Sequence, residues 1–142
     1  MGTEEKTMIT IQVTVKAPVE LVWKCWTLPE DIVKWNFASP DWHTTHAEND
    51  LRVGGKFSSR MEAKDGSVGF DFWGTYTHII THRQIDYTMG DDRIAKITFK
   101  ATDSETEVIE TFEAEGTNPV EMQRNGWQAI LNNFKKHVEE TA

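Results

Sequence analysis

The residues able to do chemistry in this sequence are a carboxylate among apolar neighbours, an amide on an apolar helical face, one thiol and two pairs of histidines. In the alternating run 106–114, Glu110 has the same parity as Val108, Phe112 and Ala114. A carboxylate on an apolar face must pair, reach water or hold a proton, so on a cavity wall it would anchor a ligand or act as general acid or base. The reverse orientation puts Ile109 and Thr111 inward and leaves Glu110 solvated, although Glu105, Glu107, Glu113 and Glu115 on the other parity oppose it. Gln123 falls within the apolar arc of a C-terminal helical pattern, where an amide needs a ligand or a satisfied partner, and it pairs naturally with Glu110. Ser59, between Phe57 and Met61 on one strand face, and Tyr76, through its phenol, are the remaining polar candidates. For each of these three the plainer alternative is a hydrogen bond to backbone at the core margin.

Other groups carry less. His43 with His46, and His78 with His82, have suggestive spacings, but zinc needs three or four convergent ligands with a supporting shell. No cysteine neighbours either pair, and residues four apart in a strand stand about 13 Å from one another. They read as ordinary surface histidines, and no metal or cofactor is expected. Cys25, beside Lys24 and Trp26, sits near the C-terminal end of a helical pattern, where the dipole opposes a thiolate, and reads as a buried, inert thiol. Gly54-Gly55 is followed by Lys56-Phe57 and a strand pattern, so the pair suits a bulge or tight entry and not a phosphate-cradling loop, which needs a helix next. No nucleophile, base and orienting group fall together, so whether a reaction is catalysed stays open.

The elements that must position these groups follow from periodicity. Ile9, Ile11, Val13 and Val15 alternate with Thr10, Gln12, Thr14 and Lys16, predicting a strand over 9–15. Pro18 in the first turn opens a helix to about Trp26, with Val19, Val22, Trp23 and Trp26 on one face. Thr27-Leu28-Pro29-Glu30 has capping-box spacing and predicts a second short helix carrying Ile32 and Trp35. Residues 36–50 read as a long loop with one short strand near 44–48. Strands are expected over 56–63, 69–81, 85–89, 94–101 and 106–114, an antiparallel meander. Asn118 as N-cap and Pro119 as first helical residue open a last helix to about His137, with Lys135 and Lys136 near its negative end. Its Trp127, Ile130, Leu131, Phe134 and Val138 share one arc, which should lie across the sheet. This is an α+β plan over one domain, 1–142, with a curved antiparallel sheet around a long C-terminal helix.

At 142 residues, roughly 68–70% of the unfolded chain's surface can be buried, enough for a core and an internal cavity. Fifteen Lys and Arg against 23 Asp and Glu give a net charge of −8, which steers the chain away from nucleic acid and anionic membranes. The run 103–121 holds seven carboxylates and no Lys or Arg, a solvated edge hairpin or a dock for a basic partner. No run is long and apolar enough to span a membrane, the N-terminal residues lack a basic, then apolar, export pattern, and a single cysteine admits no internal disulfide, so a cytoplasmic location is expected. Aromatic residues make up 11% of a chain that is only 38% hydrophobic, which implies either a heavy core or a pocket walled by rings.

Ala17-Pro18 with Val22-Trp23, Trp26-Thr27 with Pro29-Glu30 and Trp35, Asp50 to Phe57 with its glycine pair, Gly74-Thr75-Tyr76, Thr111-Phe112, and Gly126-Trp127 with Leu131 together resemble one family. It is the family similar to the activator of heat-shock protein 90 ATPase, within the START-like (SRPBCC, Bet v-type) helix-grip superfamily, and the resemblance runs nearly end to end. It implies a sheet gripping the last helix around an elongated apolar cavity. Relatives are mostly binders or regulators; others carry lipids, sterols or polyketides, or are cyclases and hydratases. The namesake cochaperone acts through a second domain for which this length leaves no room. The expected function is therefore binding of a small apolar, aromatic or lipid-like molecule. Trp26, Trp35, Phe57, Phe112, Trp127 and Ile130 would form the wall, with Ser59, Tyr76, Glu110 and Gln123 as polar contacts. A cyclase or hydratase using Glu110, and a protein-interaction module acting on a chaperone ATPase, are the alternatives, as monomer or homodimer.

Overall fold

A computed structural model describes residues 7–142. Among these, seven strands form one antiparallel sheet in the order β1-β7-β6-β5-β4-β3-β2. They are β1 (Met8–Val15), β2 (Trp42–Asn49), β3 (Lys56–Ala63), β4 (Gly69–Ile80), β5 (Gln84–Met89), β6 (Ile94–Thr102) and β7 (Glu105–Glu113). Helices α1 (Val19–Thr27) and α2 (Pro29–Trp35) follow β1, and α3 (Val120–Thr141) closes the chain. The sheet is curled into a half-barrel about α3, the α+β helix-grip fold expected from the sequence.

The inner face is built from alternation. Ile9, Ile11 and Val15 on β1 meet Phe112, Glu110 and Thr106 on β7 across the ladder, and all six are buried. Register shifts at Thr44/His46 and at Tyr76/His78 insert bulges, which bend β2 and β4 and deepen the concave face. Leu131, Phe134 and Val138 of α3 are fully buried against it. Lys135 Nζ donates to Thr14 O at 2.6 Å, tying α3 to the β1 edge.

Several local expectations are corrected. Residues 36–50 contain a full strand, β2, and not a loop with a short strand. Only Thr44 and Ala47 of β2 are buried, and the bulge between Thr44 and His46 breaks the period-two pattern that would have revealed it. Thr27 does not cap α2: its hydroxyl donates back to Trp23 O at 2.9 Å, and Leu28 precedes the helix, with Pro29 as its first residue. Asn118 does not cap α3 either; Pro119 is the N-cap residue and Asn118 O accepts from Gln123 at 2.8 Å. Because α3 runs to Thr141, Lys135 and Lys136 lie short of its last turn. The acidic strand β7 is not an edge: it lies between β1 and β6, and the outward Glu105, Glu107 and Glu113 are half-buried.

The glycine pair is a tight entry to β3. Gly54 has φ +86°, and a Cβ on Gly55 would stand 2.2 Å from Asp50 O. Backbone cannot yield as a flexible side chain does, so Gly55→Ala should destabilise the fold by about 1–3 kcal/mol, read as a lower urea midpoint with unchanged slope. An unchanged midpoint would show that the 50–55 turn relaxes freely.

Candidate functional site

Between the concave sheet and the helices lies a cavity of about 500 Å³. Nine of its 26 lining residues are aromatic, brought to the inner face of the sheet by the alternation of β3, β4 and β5 and from above by the helices. Phe57 on β3 stands 4.7 Å from Tyr87 on β5 and 5.4 Å from Tyr76 on β4, centroid to centroid. Trp26 on α1 and Trp35 on α2 lie 5.1 Å apart at one end, and Trp127 and Ile130 descend from α3. Phe72 meets Trp127 edge to face at 6.0 Å.

Nine of the ten residues expected at the site border this space: Trp26, Trp35, Phe57, Ser59, Tyr76, Glu110, Gln123, Trp127 and Ile130. Phe112 does not. It is fully buried behind Trp127 and stacks on that indole at 3.8 Å and 9°, so it fixes the wall without forming it. Trp42, Met61, Phe70 and Arg93 also border the cavity. Trp42 was hidden by the loop reading of 36–50, whereas Met61 was legible, sharing the face of Phe57 and Ser59.

The polar groups differ in what they have left to offer. Gln123 is spent: Oε1 accepts from Glu115 N at 2.8 Å, and Nε2 donates to Glu115 O at 3.1 Å and Asn118 O at 2.8 Å. Its amide fastens the β7–α3 connection and does not pair with Glu110. Tyr76 donates to Asn49 Oδ1, and Asn49 Nδ2 donates to Thr27 O at 2.6 Å, a chain that joins β4, β2 and α1. Burial holds the Tyr76 phenol above its ordinary range, as it does Tyr87, where the nearby Glu110 charge adds to the effect. Ser59 is 4% exposed on the same lining.

Neither the Ser59 hydroxyl nor the Glu110 carboxyl has a hydrogen-bond partner among the described residues, and of the two Glu110 carries the larger desolvation cost. Glu110 is 5% exposed. No fully enclosed side-chain oxygen or nitrogen lacks a partner among them, so the carboxyl oxygens of Glu110 border the cavity space. The reversed orientation of β7 is thus excluded. Burial alone pushes the Glu110 carboxyl up to about 8, so it keeps its proton at neutral pH and presents a hydrogen-bond donor to the cavity. The thiol of Cys25, buried on α1, is pushed up to about 11 by burial and by the Asp31 carboxylate, against Lys24. No helix among the described residues is long and apolar enough to cross a membrane.

The sequence profile described as Activator of Hsp90 ATPase homolog 1-like protein matches residues 16–139. An AHSA1-like protein from Aeromonas hydrophila, solved by NMR, is 43% identical, with 95% of this chain and 94% of that one covered and a TM-score of 0.90. A second solution structure, from Cytophaga hutchinsonii, is 50% identical over 94% of this chain and 92% of its own, with a TM-score of 0.81. A crystal structure from Nitrosomonas europaea, 20% identical over 94% and 95%, shares the fold with a TM-score of 0.80. No protein of curated function matches the chain.

Proposed function

Since this chain belongs to the family of Activator of Hsp90 ATPase homolog 1-like proteins, we propose that it binds a small, mainly apolar or aromatic molecule in the cavity between the sheet and α3. The observation that carries this reading is Glu110: a buried carboxyl with no hydrogen-bond partner among the described residues, facing an aromatic-rich space of about 500 Å³. That volume is within the common range for small-molecule sites, and rings with one or two convergent polar groups are their usual lining. The rings supply affinity through buried area. Glu110, protonated at neutral pH, donates to one acceptor on the ligand, a carbonyl, ether or hydroxyl oxygen, and disfavours a carboxylate there once it ionises.

Native mass spectrometry of the protein purified from its own host, with extraction of whatever travels with it, tests this directly. A stoichiometric apolar passenger is the expected result. As an independent check, the neutral fluorophore N-phenyl-1-naphthylamine should bind one to one, and Trp127→Ala should weaken it by about tenfold or more, because a stacked indole wall is lost. A clean unliganded mass together with no fluorophore binding sinks the proposal.

A second reading is favoured by the same carboxyl. A group that titrates near neutrality is suited to general acid–base work, so a cyclase- or hydratase-type reaction in this cavity would use Glu110. Glu110→Gln separates the two readings, since an enzyme loses turnover of the recovered passenger while a binding protein changes affinity alone.

A further inference from the structure

Outside the cavity wall, the three helices bring together three residues of different chemistry. Cys25 Sγ, a carboxylate oxygen of Asp31 and a ring nitrogen of His137 all lie within 4.8 Å of one another. Cys25 is at the end of α1, Asp31 in the first turn of α2 and His137 near the end of α3. From this convergence we propose that Cys25, Asp31 and His137 form a binding site for a thiophilic divalent cation of the Zn²⁺ class.

The donor set fits that ion. Thiolate, imidazole and carboxylate are its three usual protein ligands, and three of them with a fourth position open to water make a complete tetrahedron. The thiolate and imidazole select zinc-like ions over magnesium or calcium, which take oxygen ligands. Coordination expels the Cys25 thiol proton to solvent, and the resulting thiolate with Asp31 presents two negative charges to a dication; no Lys or Arg hydrogen-bonds to either side chain among the described residues.

The geometry needs little movement. His137 Nε2 stands 2.9 Å from Asp31 Oδ1, and ligand atoms around tetrahedral zinc are about 3.5 Å apart. The imidazole and carboxylate would open slightly and the thiol close by about an ångström. Entry is available because the Asp31 and His137 side chains each keep 14% exposure, while Cys25 is 1% exposed beneath them. The backbone behind the thiol is already held: Trp35 Nε1 donates to Cys25 O at 2.9 Å, locking the end of α1 against α2. The Sγ atom itself makes no hydrogen bond among the described residues, so coordination displaces no partner of the thiol. Only the His137–Asp31 contact is exchanged, and the ion would then bridge all three helices, adding to the Trp35–Cys25 hydrogen bond that already joins α1 and α2.

The proposal is independent of the ligand reading, and cobalt tests it on the intact protein. Co²⁺ titrated into chelator-stripped protein should give a thiolate-to-cobalt charge-transfer absorption with visible bands of tetrahedral intensity, saturating at one ion per chain and displaced by Zn²⁺. Because Cys25 is the single cysteine of the chain, such a band can arise nowhere else, so the parent protein is decisive even if a variant fails to fold. Cys25→Ser should abolish the band. Asp31→Asn should weaken Zn²⁺ by at least about 100-fold, since changes to outer-shell partners of a metal ligand alone cost 10–100-fold. His43→Gln should leave both unchanged. A parent protein without the charge-transfer band, or a band that survives Cys25→Ser, overturns the proposal.

Discussion

Glu110→Gln should leave the protein more stable than the parent at pH 8–9, with the difference vanishing as the pH falls below about 4.5. The Glu110 carboxyl titrates near 8 in the folded protein against an ordinary value of 4.5, and desolvation in the apolar wall is the cause. Below 4.5 the folded and unfolded chains both carry a neutral acid, and Glu110 costs the fold nothing through ionisation. Between 4.5 and about 8 the unfolded chain loses this proton while the folded chain keeps it, so stability falls steadily as the pH rises. Each pH unit costs about 1.4 kcal/mol, and the whole window amounts to on the order of 5 kcal/mol. Above 8 both states are ionised and the loss is complete. Glutamine has the same shape and never ionises, so its stability curve should lack this slope. Urea titrations of both proteins from pH 4 to 9 read the difference directly, and parallel curves would show that the carboxyl is solvated. The natural sequence therefore carries a group that weakens its own fold at neutral pH, and a cavity ligand able to accept from it would recover part of that cost.

What the sequence made legible follows from how local each signal is. The inward position of Glu110 could be read because β7 alternates without interruption and its other parity is nearly all carboxylate. The ring wall was legible for the same reason on β3, where Phe57, Ser59 and Met61 share a face. β2 was not, because its bulge cancels the alternation and its composition is that of a loop. Gln123 was singled out for the right oddity, an amide on an apolar arc, yet its partners are loop carbonyl and amide groups whose path no periodicity fixes. The thiol, carboxylate and imidazole at the helix ends lie far apart in sequence, Asp31 and His137 being 106 positions apart, and only the packing of α3 under α1 and α2 brings them together. Local pattern thus reveals which face a residue takes, while the meeting of distant faces depends on where α1 and α3 end and α2 begins.

Phe134→Ala should cost about 3–5 kcal/mol, a large part of the roughly 5–15 kcal/mol that holds a domain of this size folded. Phe134 is fully buried at the centre of the contact between α3 and the two short helices. Its ring meets Trp26 and Trp35 edge to face, each at 4.9 Å, so one side chain joins three helices. Truncation removes the burial of a phenyl ring and two aromatic contacts, each worth about 0.5–1.5 kcal/mol beyond area. The void cannot close by simple collapse. Trp35 is held through its indole N–H to Cys25 O, and Trp26 also leans on Phe99 at 5.8 Å, so the surrounding rings are fixed from other sides and the upper half of the range is expected. Phe134 does not border the cavity, but Trp26 and Trp35 do, which makes the same substitution a probe of the binding site from behind. A loosened Trp26–Trp35 pair should weaken N-phenyl-1-naphthylamine binding even under conditions where the variant is fully folded. Urea midpoints and fluorophore titrations on the same samples separate the two effects. A stability loss below about 1 kcal/mol would mean that the helices pack independently of this ring, and that the end wall of the cavity is set by the sheet alone.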